Sequence, residues 1–225
     1  MSQTSSNTRL LYQLADSSFP SGGFAHSGGL EALYQWGELK QPGQLLDLLV
    51  TQIRQSRHYS LPQFVAAHQQ IQTTVELDNL CHALLGNHVA RRASLRQGQA
   101  FLATCCQAFD CDTVELLRAQ VRNKTIRGHL LPTFGYVTRS LGISLHDGAE
   151  LFLFIMIRDL ISSAIRLNII GPLAAQSIWP QLDNEFTQVL KHCEAYCLSD
   201  IAQTSPILDI LQSNHDRLYS RLFQS

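Results

Sequence analysis

The stretch from Asp147 to Pro172, DGAELFLFIMIRDLISSAIRLNIIGP, decides the fold class. Apolar residues run from Ala149 to about Ile169. Asp147 stands where a helix cap is expected, and Gly171-Pro172 stops the run. The pattern predicts the longest helix of the chain. Its most apolar part, Leu151 to Ile157, is broken by Arg158 and Asp159. A bilayer span needs about 20 mostly apolar residues, so this is a core helix and no transmembrane segment is expected. Arg158 and Ser162 share one face of it. Asp159, Ser163 and Arg166 share another at i, i+4 and i+7. Buried charges must be paired. These polar rows either neutralise one another or line a water-filled passage, and pairing is the preferred reading.

Working outward, the helical period continues on both sides. Leu10, Leu11 and Leu14 mark a short first helix, and a second runs from about Leu30 to Trp36. Pro42 suits the first turn of a helix carrying Leu45, Leu46, Leu48, Leu49 and Ile53. Pro62 opens the next. Glu76–Leu85 and His88–Phe109 read as two helices, or as one broken near Gly86. Thr113 is the expected cap of Val114–Val121. His129–Leu141 reads as helix with Pro132 in its first turn. Leu182–Leu198 is the last strong helix, and a short amphipathic piece follows Pro206. No segment alternates with period two for long. The reading is all-α: a single-domain helical bundle of about nine to eleven helices over residues 1–225, with 1–8 disordered. Residues 215–225 form a tail that a partner orders.

Between the first two helices lies Asp16–Trp36, DSSFPSGGFAHSGGLEALYQW. Glycines beside Phe19, Phe24 and His26 make a shaped loop that a partner can approach closely. Ser27 or Gly28 is expected to cap the following helix, with Glu31 in its first turn facing the helix dipole.

Apolar residues make up 45% of the 225, enough for a substantial core, and the formal net charge is −1. Long-range attraction to nucleic acid or to an anionic membrane is therefore not expected. Arginine outnumbers lysine 14 to 3. That fits extensive interfaces, since the planar guanidinium makes bidentate pairs, and equally fits compositional bias. Six cysteines without a Cys-x2-Cys pair, and an N-terminus lacking a signal-peptide core, read as reduced thiols in a cytoplasmic protein.

The search for chemistry finds little. No lysine follows a glycine, so a Walker phosphate loop is lacking, and no Gly-x-Ser-x-Gly elbow occurs. Asp16, His26 and Ser27 are near in sequence, yet triads are defined by geometry rather than proximity. His192, Cys193 and Cys197 could offer a soft metal a helix face at i, i+4, but small thiols in a helix interface are the preferred reading. No catalytic group, tight metal site or cofactor is expected. Arg92 and Arg96 share a face that suits an acidic partner, a phosphate or internal ion pairs.

The order of residues resembles the UreF family of urease accessory proteins. The loop matches its Asp-Ser-x-x-Pro-x-Gly-Gly-Phe-Ala-His-Ser-x-Gly-Leu-Glu signature. Arg92-Ala93-Ser94 with Gly98, His129 with Phe134-Gly135, and Ser162 to Leu167 ahead of Gly171 are similar to mid-chain family patterns. Leu218-Tyr219-Ser220-Arg221-Leu222-Phe223 is similar to the family's ending. Asp216 stands where glutamate is common, and Ser163 where alanine is commoner. The resemblance implies an all-helical homodimer, not an enzyme. It implies partners called UreD or UreH, the GTPase UreG and the urease apoprotein, in GTP-dependent delivery of nickel. Partner-binding residues expected on this basis are Phe24, His26, Gly28, Glu31, Arg92, Arg96, Arg166, Tyr219, Arg221, Leu222 and Phe223. A helical metalloenzyme or hydrolase using His26/Ser27 or the Cys193/Cys197 face is the alternative.

Overall fold

The computed structural model describes residues 3–39 and 41–225. In chain order the helices are α1 (Gln3–Ala15), α2 (Leu30–Gln35), α3 (Pro42–His58), α4 (Ser60–His68), α5 (Thr74–Leu84) and α6 (His88–Ala108). They continue with α7 (Asp112–Arg122), α8 (Leu130–Ser140), α9 (Leu145–Arg166), α10 (Pro172–Gln176), α11 (Trp179–Leu190) and α12 (Pro206–Ser213). Eleven of these have six residues or more, and there is no strand among the described residues. The all-α reading holds. Among the described residues no helix is long and apolar enough to cross a membrane.

The centre of the bundle is α8, packed most closely between α4 and α6 with α9 alongside. Phe64, Phe101, Phe134 and Phe152 come one from each of these four helices. Phe134 sits in their midst, with ring centroids 4.9 Å from Phe101, 5.7 Å from Phe152 and 6.1 Å from Phe64. Offset and edge-on rings at such distances attract beyond their buried area. α8 reaches α4 this closely because residue 135 is glycine. A Cβ there would stand 2.6 Å from Ala67 Cβ and 2.7 Å from the Phe64 carbonyl oxygen. Pro132 lies in the first turn of α8, where its missing N–H costs nothing.

Several boundaries differ from the sequence reading, each for a local reason. α9 begins at Leu145: Ser144 Oγ accepts from Asp147 N at 3.1 Å and donates to the Asp147 carboxylate at 2.7 Å. Asp147 is thus the third residue of the helix and Ser144 its cap. The helix ends at Arg166, and Pro172 opens α10 instead of closing α9. Cys111, not Thr113, holds the cap position of α7. Asn87 caps α6 by accepting from Val89 N and Ala90 N, which settles two helices around Gly86. The expected helix through Leu198 stops at Leu190. There the Tyr196 hydroxyl turns back to bond the Val189 carbonyl at 2.6 Å, supplying a partner for a helix-end oxygen. Residues 3–8, expected to be disordered, belong to α1, and Met1 and Ser2 lie outside the described residues.

Candidate functional site

The glycine loop, α2, the start of α6, the end of α9 and residues 214–225 meet on one surface. The loop is shaped first by its own chain. Asp16 accepts from Ser18 N and Oγ, both at 2.7 Å, and Gly23–Ala25 make a single 3-10 turn. Gly28 and Gly29 follow with φ of 60° and 92°. That left-handed geometry favours glycine and aims α2 inward. Gly29, rather than Ser27 or Gly28, holds the cap position of α2.

The polar row at Asp159, Ser163 and Arg166 receives this loop. The Asp159 carboxylate lies against Gly23, where a Cβ would overlap it. Ser163 Oγ donates to the His26 carbonyl at 3.4 Å, and Arg166 Nη1 donates to the Phe24 carbonyl at 2.6 Å. Asp159 also accepts from the Arg158 guanidinium at 2.8 Å, while Arg158 Nη1 reaches the Ala15 carbonyl at 2.6 Å. Arg158 and Asp159 thus pair structurally across the two rows, while Arg166 meets a backbone carbonyl rather than an acid. Burial raises the Asp159 pKa, against the pull of Arg158.

Residues 214–225 then close over the loop. Gln224 N donates to the Ala25 carbonyl at 2.8 Å and Ser27 N to the Ser225 carbonyl at 2.7 Å. Glu31 is the centre of the closure. It is 1% exposed, and its carboxylate accepts from Leu222 N at 2.6 Å and Phe223 N at 3.2 Å. It also meets Nε2 of the fully buried His215 at 3.0 Å. Hydrogen bonds to an ionised carboxylate in low dielectric are the strong kind. The Arg166 guanidinium sits between two rings, 3.9 Å from the Phe24 centroid and 4.2 Å from that of Phe223.

A second anchor lies at the start of α6. Arg92 takes both Asp216 oxygens, at 2.7 and 3.1 Å, and His88 Nε2 meets the same carboxylate at 3.1 Å. Arg221 adds a longer contact at 3.4 Å. The Arg92 hydrogen bond foremost, with the contact from His88, holds the Asp216 carboxyl down at about 2. Arg96 Nη1 donates to Gln224 Oε1 at 2.8 Å.

All eleven residues expected from the sequence are therefore brought to this surface, in roles the sequence did not show. Glu31 and Phe223 are buried and hold the chain to itself, and His26 is buried against Ser225. Burial lowers the His26 pKa to about 4. Phe24, Tyr219 and Leu222 are the exposed apolar side chains, at 64%, 103% and 53%, and Arg96 and Arg221 are exposed beside them. The 215–225 segment, expected to be loose without a partner, is folded onto the body through Glu31, His215 and Phe223. Sequence reasoning missed His215, Asp216 and Gln224 as anchors. Their signal was a charged His-Asp-Arg run beside anchoring aromatics, but nothing in the sequence pairs it with Glu31, Arg92 or Arg96.

The alternative chemistry finds no support in the geometry. Ser27 is fully buried, and its Oγ donates to the Ser225 carbonyl at 3.3 Å. Cys193 and Cys197 lie in separate turns beyond α11, one buried and one exposed, so they share no helix face. Among the described residues no three His, Cys, Asp or Glu side chains cluster as metal ligands.

Fold and site together define a class: an all-helical protein whose distinctive residues assemble a shaped surface around a self-docked segment. A family model described as UreF matches residues 39–183. Urease accessory protein F of Oryza sativa subsp. indica is 35% identical over 216 residues, covering 94% of this chain and 83% of that one. The protein of the same name from Arabidopsis thaliana is 34% identical over 218 residues, covering 95% and 91%. Urease accessory protein UreF of Paenarthrobacter aurescens is 29% identical over 215 residues, covering 96% of each. The chain belongs to the UreF family. These relatives are named as accessory proteins rather than as enzymes.

Proposed function

We propose that this chain is a cytoplasmic, homodimeric scaffold of urease maturation. It joins a UreD/UreH partner and the GTPase UreG on the urease apoprotein and supports GTP-dependent insertion of nickel, the cargo. Family membership carries the maturation role. The observation that favours a scaffold is the exposed rim of Phe24, Tyr219 and Leu222 around the buried Glu31–His215 closure. Aromatic and arginine side chains on a rigid support are the anchors that dominate interface energy. A scaffold of this kind regulates a GTPase by binding one nucleotide state better than the other, and shifts the equilibrium by that difference alone. It supplies surface, not reacting groups.

Co-purification with UreD/UreH and UreG, together with urease activation in a strain lacking the chain, tests the reading. Tyr219→Ala touches nothing that holds the fold, yet is expected to weaken partner capture by about 2 kcal/mol, roughly thirtyfold. Full activation by a Phe24→Ala/Tyr219→Ala/Leu222→Ala variant would show that this rim meets no partner.

A further inference from the structure

Two cavities lie side by side beneath α12. The first, about 220 Å3, is walled by the aromatic centre at Phe134 and Phe152 and carries the Asp159 carboxylate. The second, about 160 Å3, is more polar and carries Asp209, from the first turn of α12. Gly28, Gln52, Met156 and Gln212 line both, so the cavities meet at a waist made of those residues. We propose that the joined cavities bind a short aliphatic diamine, with one ammonium on Asp209 and the other on Asp159.

Each carboxylate has capacity to spare. Asp209 accepts from Gln203 Nε2 and has no ion-pair partner among the described residues. Asp159 takes both of its hydrogen bonds from Arg158 on Oδ1, and Oδ2 meets no N–H or O–H donor among the described residues. Burial foremost raises the pKa of both carboxyls, a sign of negative charge short of compensation. An ammonium brings three N–H donors, each of which needs an acceptor. Gln52, Gln97 and Gln212 line the first cavity, and no hydrogen bond engages their side-chain amides among the described residues. Their oxygens complete the set of acceptors.

Spacing and shape select the diamine. Asp159 lies one turn beyond Met156 on α9, and Asp209 one turn before Gln212 on α12. Asp159 lines the first cavity alone and Asp209 the second, so the acids stand on opposite sides of the waist. A helical turn is about 5.4 Å, which puts the carboxylates on the order of 10 Å apart. Charge-assisted bonds of about 2.8 Å at each end leave the length of a chain of about four to six carbons. Its methylenes lie at the waist against Met156, whose unbranched thioether adapts to the shape it meets. Phe134 and Phe152 wall the Asp159 side, and aromatic rings attract a cation. The inference stands on these side chains and not on the maturation role.

Calorimetric titration of the full chain with 1,5-diaminopentane tests it, with n-pentylamine and 1,5-pentanediol as controls. The diamine is expected to bind one to one and at least roughly tenfold tighter than the monoamine, and the diol not at all. Asp209→Asn keeps the shape and breaks no ion pair. It is expected to weaken diamine binding roughly tenfold or more while leaving the helical CD spectrum unchanged. Glu38→Gln, at an exposed acid that lines neither cavity, is expected to change nothing. No uptake of the diamine by the unaltered chain overturns the proposal. So does equal affinity for diamine and monoamine, or a loss in Glu38→Gln as large as that in Asp209→Asn, which would leave only attraction to surface acids.

Discussion

The aromatic centre and the loop-and-segment surface hold this chain together by opposite means. Around Phe134 the four helices interlock through rings and aliphatic side chains, with α8 pressed onto α4 at Gly135. Around Glu31 the contact is polar: one buried carboxylate gathers two backbone N–H groups and an imidazole from 184–192 residues away. The first region loses stability in proportion to the volume removed, since rigid neighbours collapse only partly. The second depends on a few charged hydrogen bonds, and losing their acceptor strands several donors at once. A core of the first kind supports the whole fold. A closure of the second kind can open alone.

The largest effect expected from breaking this contrast is in the core. Phe134→Ala should cost about 3–5 kcal/mol of global stability in denaturant unfolding, with every probe reporting the same transition. A loss under about 1 kcal/mol would mean that the four-ring cluster does not organise the bundle. Glu31→Ala should cost less, about 2–3 kcal/mol, and should act locally. Amides of Leu222 and Phe223 should then exchange quickly while those of α8 stay slow. Equal acceleration in both places would make the two regions a single unit.

Acid should act in the same direction. Burial lowers His26 to about 4 from an ordinary 6.5, and lowers His68 as well. The unfolded chain therefore binds more protons than the folded one between those values, so stability is complete above about 6.5 and falls as pH drops towards 4. The melting temperature should decline across that window, and His26→Asn should flatten the decline. The smallest effect is expected at the rim. Arg92→Ala removes a pair that is one-third exposed, and should cost no more than about 1 kcal/mol, fading with salt.

Much of the fold was legible along the chain because helix periodicity and proline placement are local properties. α8 could be read through Pro132, and α6 was separable from α5 at Gly86, because first-turn proline and inter-helix glycine carry their meaning within a few residues. The ends of α9 and α11 were not legible. Ser144 and Asp147 are both cap-forming residues, and only the observed bonds decide between them. The apolar spacing past Leu190 continued the helical period, while Tyr196 folded back onto Val189. The eleven residues could be named as a group because they follow the family's order of aromatics, glycines and arginines, and the fold brings them together.

What those residues do was set elsewhere. Glu31 reads as a solvent-facing first-turn acid and is instead the buried centre of the closure. Its position in α2 is local, but its burial is not. Fully covered by residues 215–223, a carboxylate exchanges water for Leu222 N, Phe223 N and His215, and only the folded chain brings them within 3.2 Å. The sequence by itself determined that this chain is helical, where most helices lie, and which residue types gather around the loop. The tertiary structure alone decided which of them face outward and which bind the chain to itself. Exposure and pairing depend on contacts between residues far apart in sequence, and no local pattern encodes those.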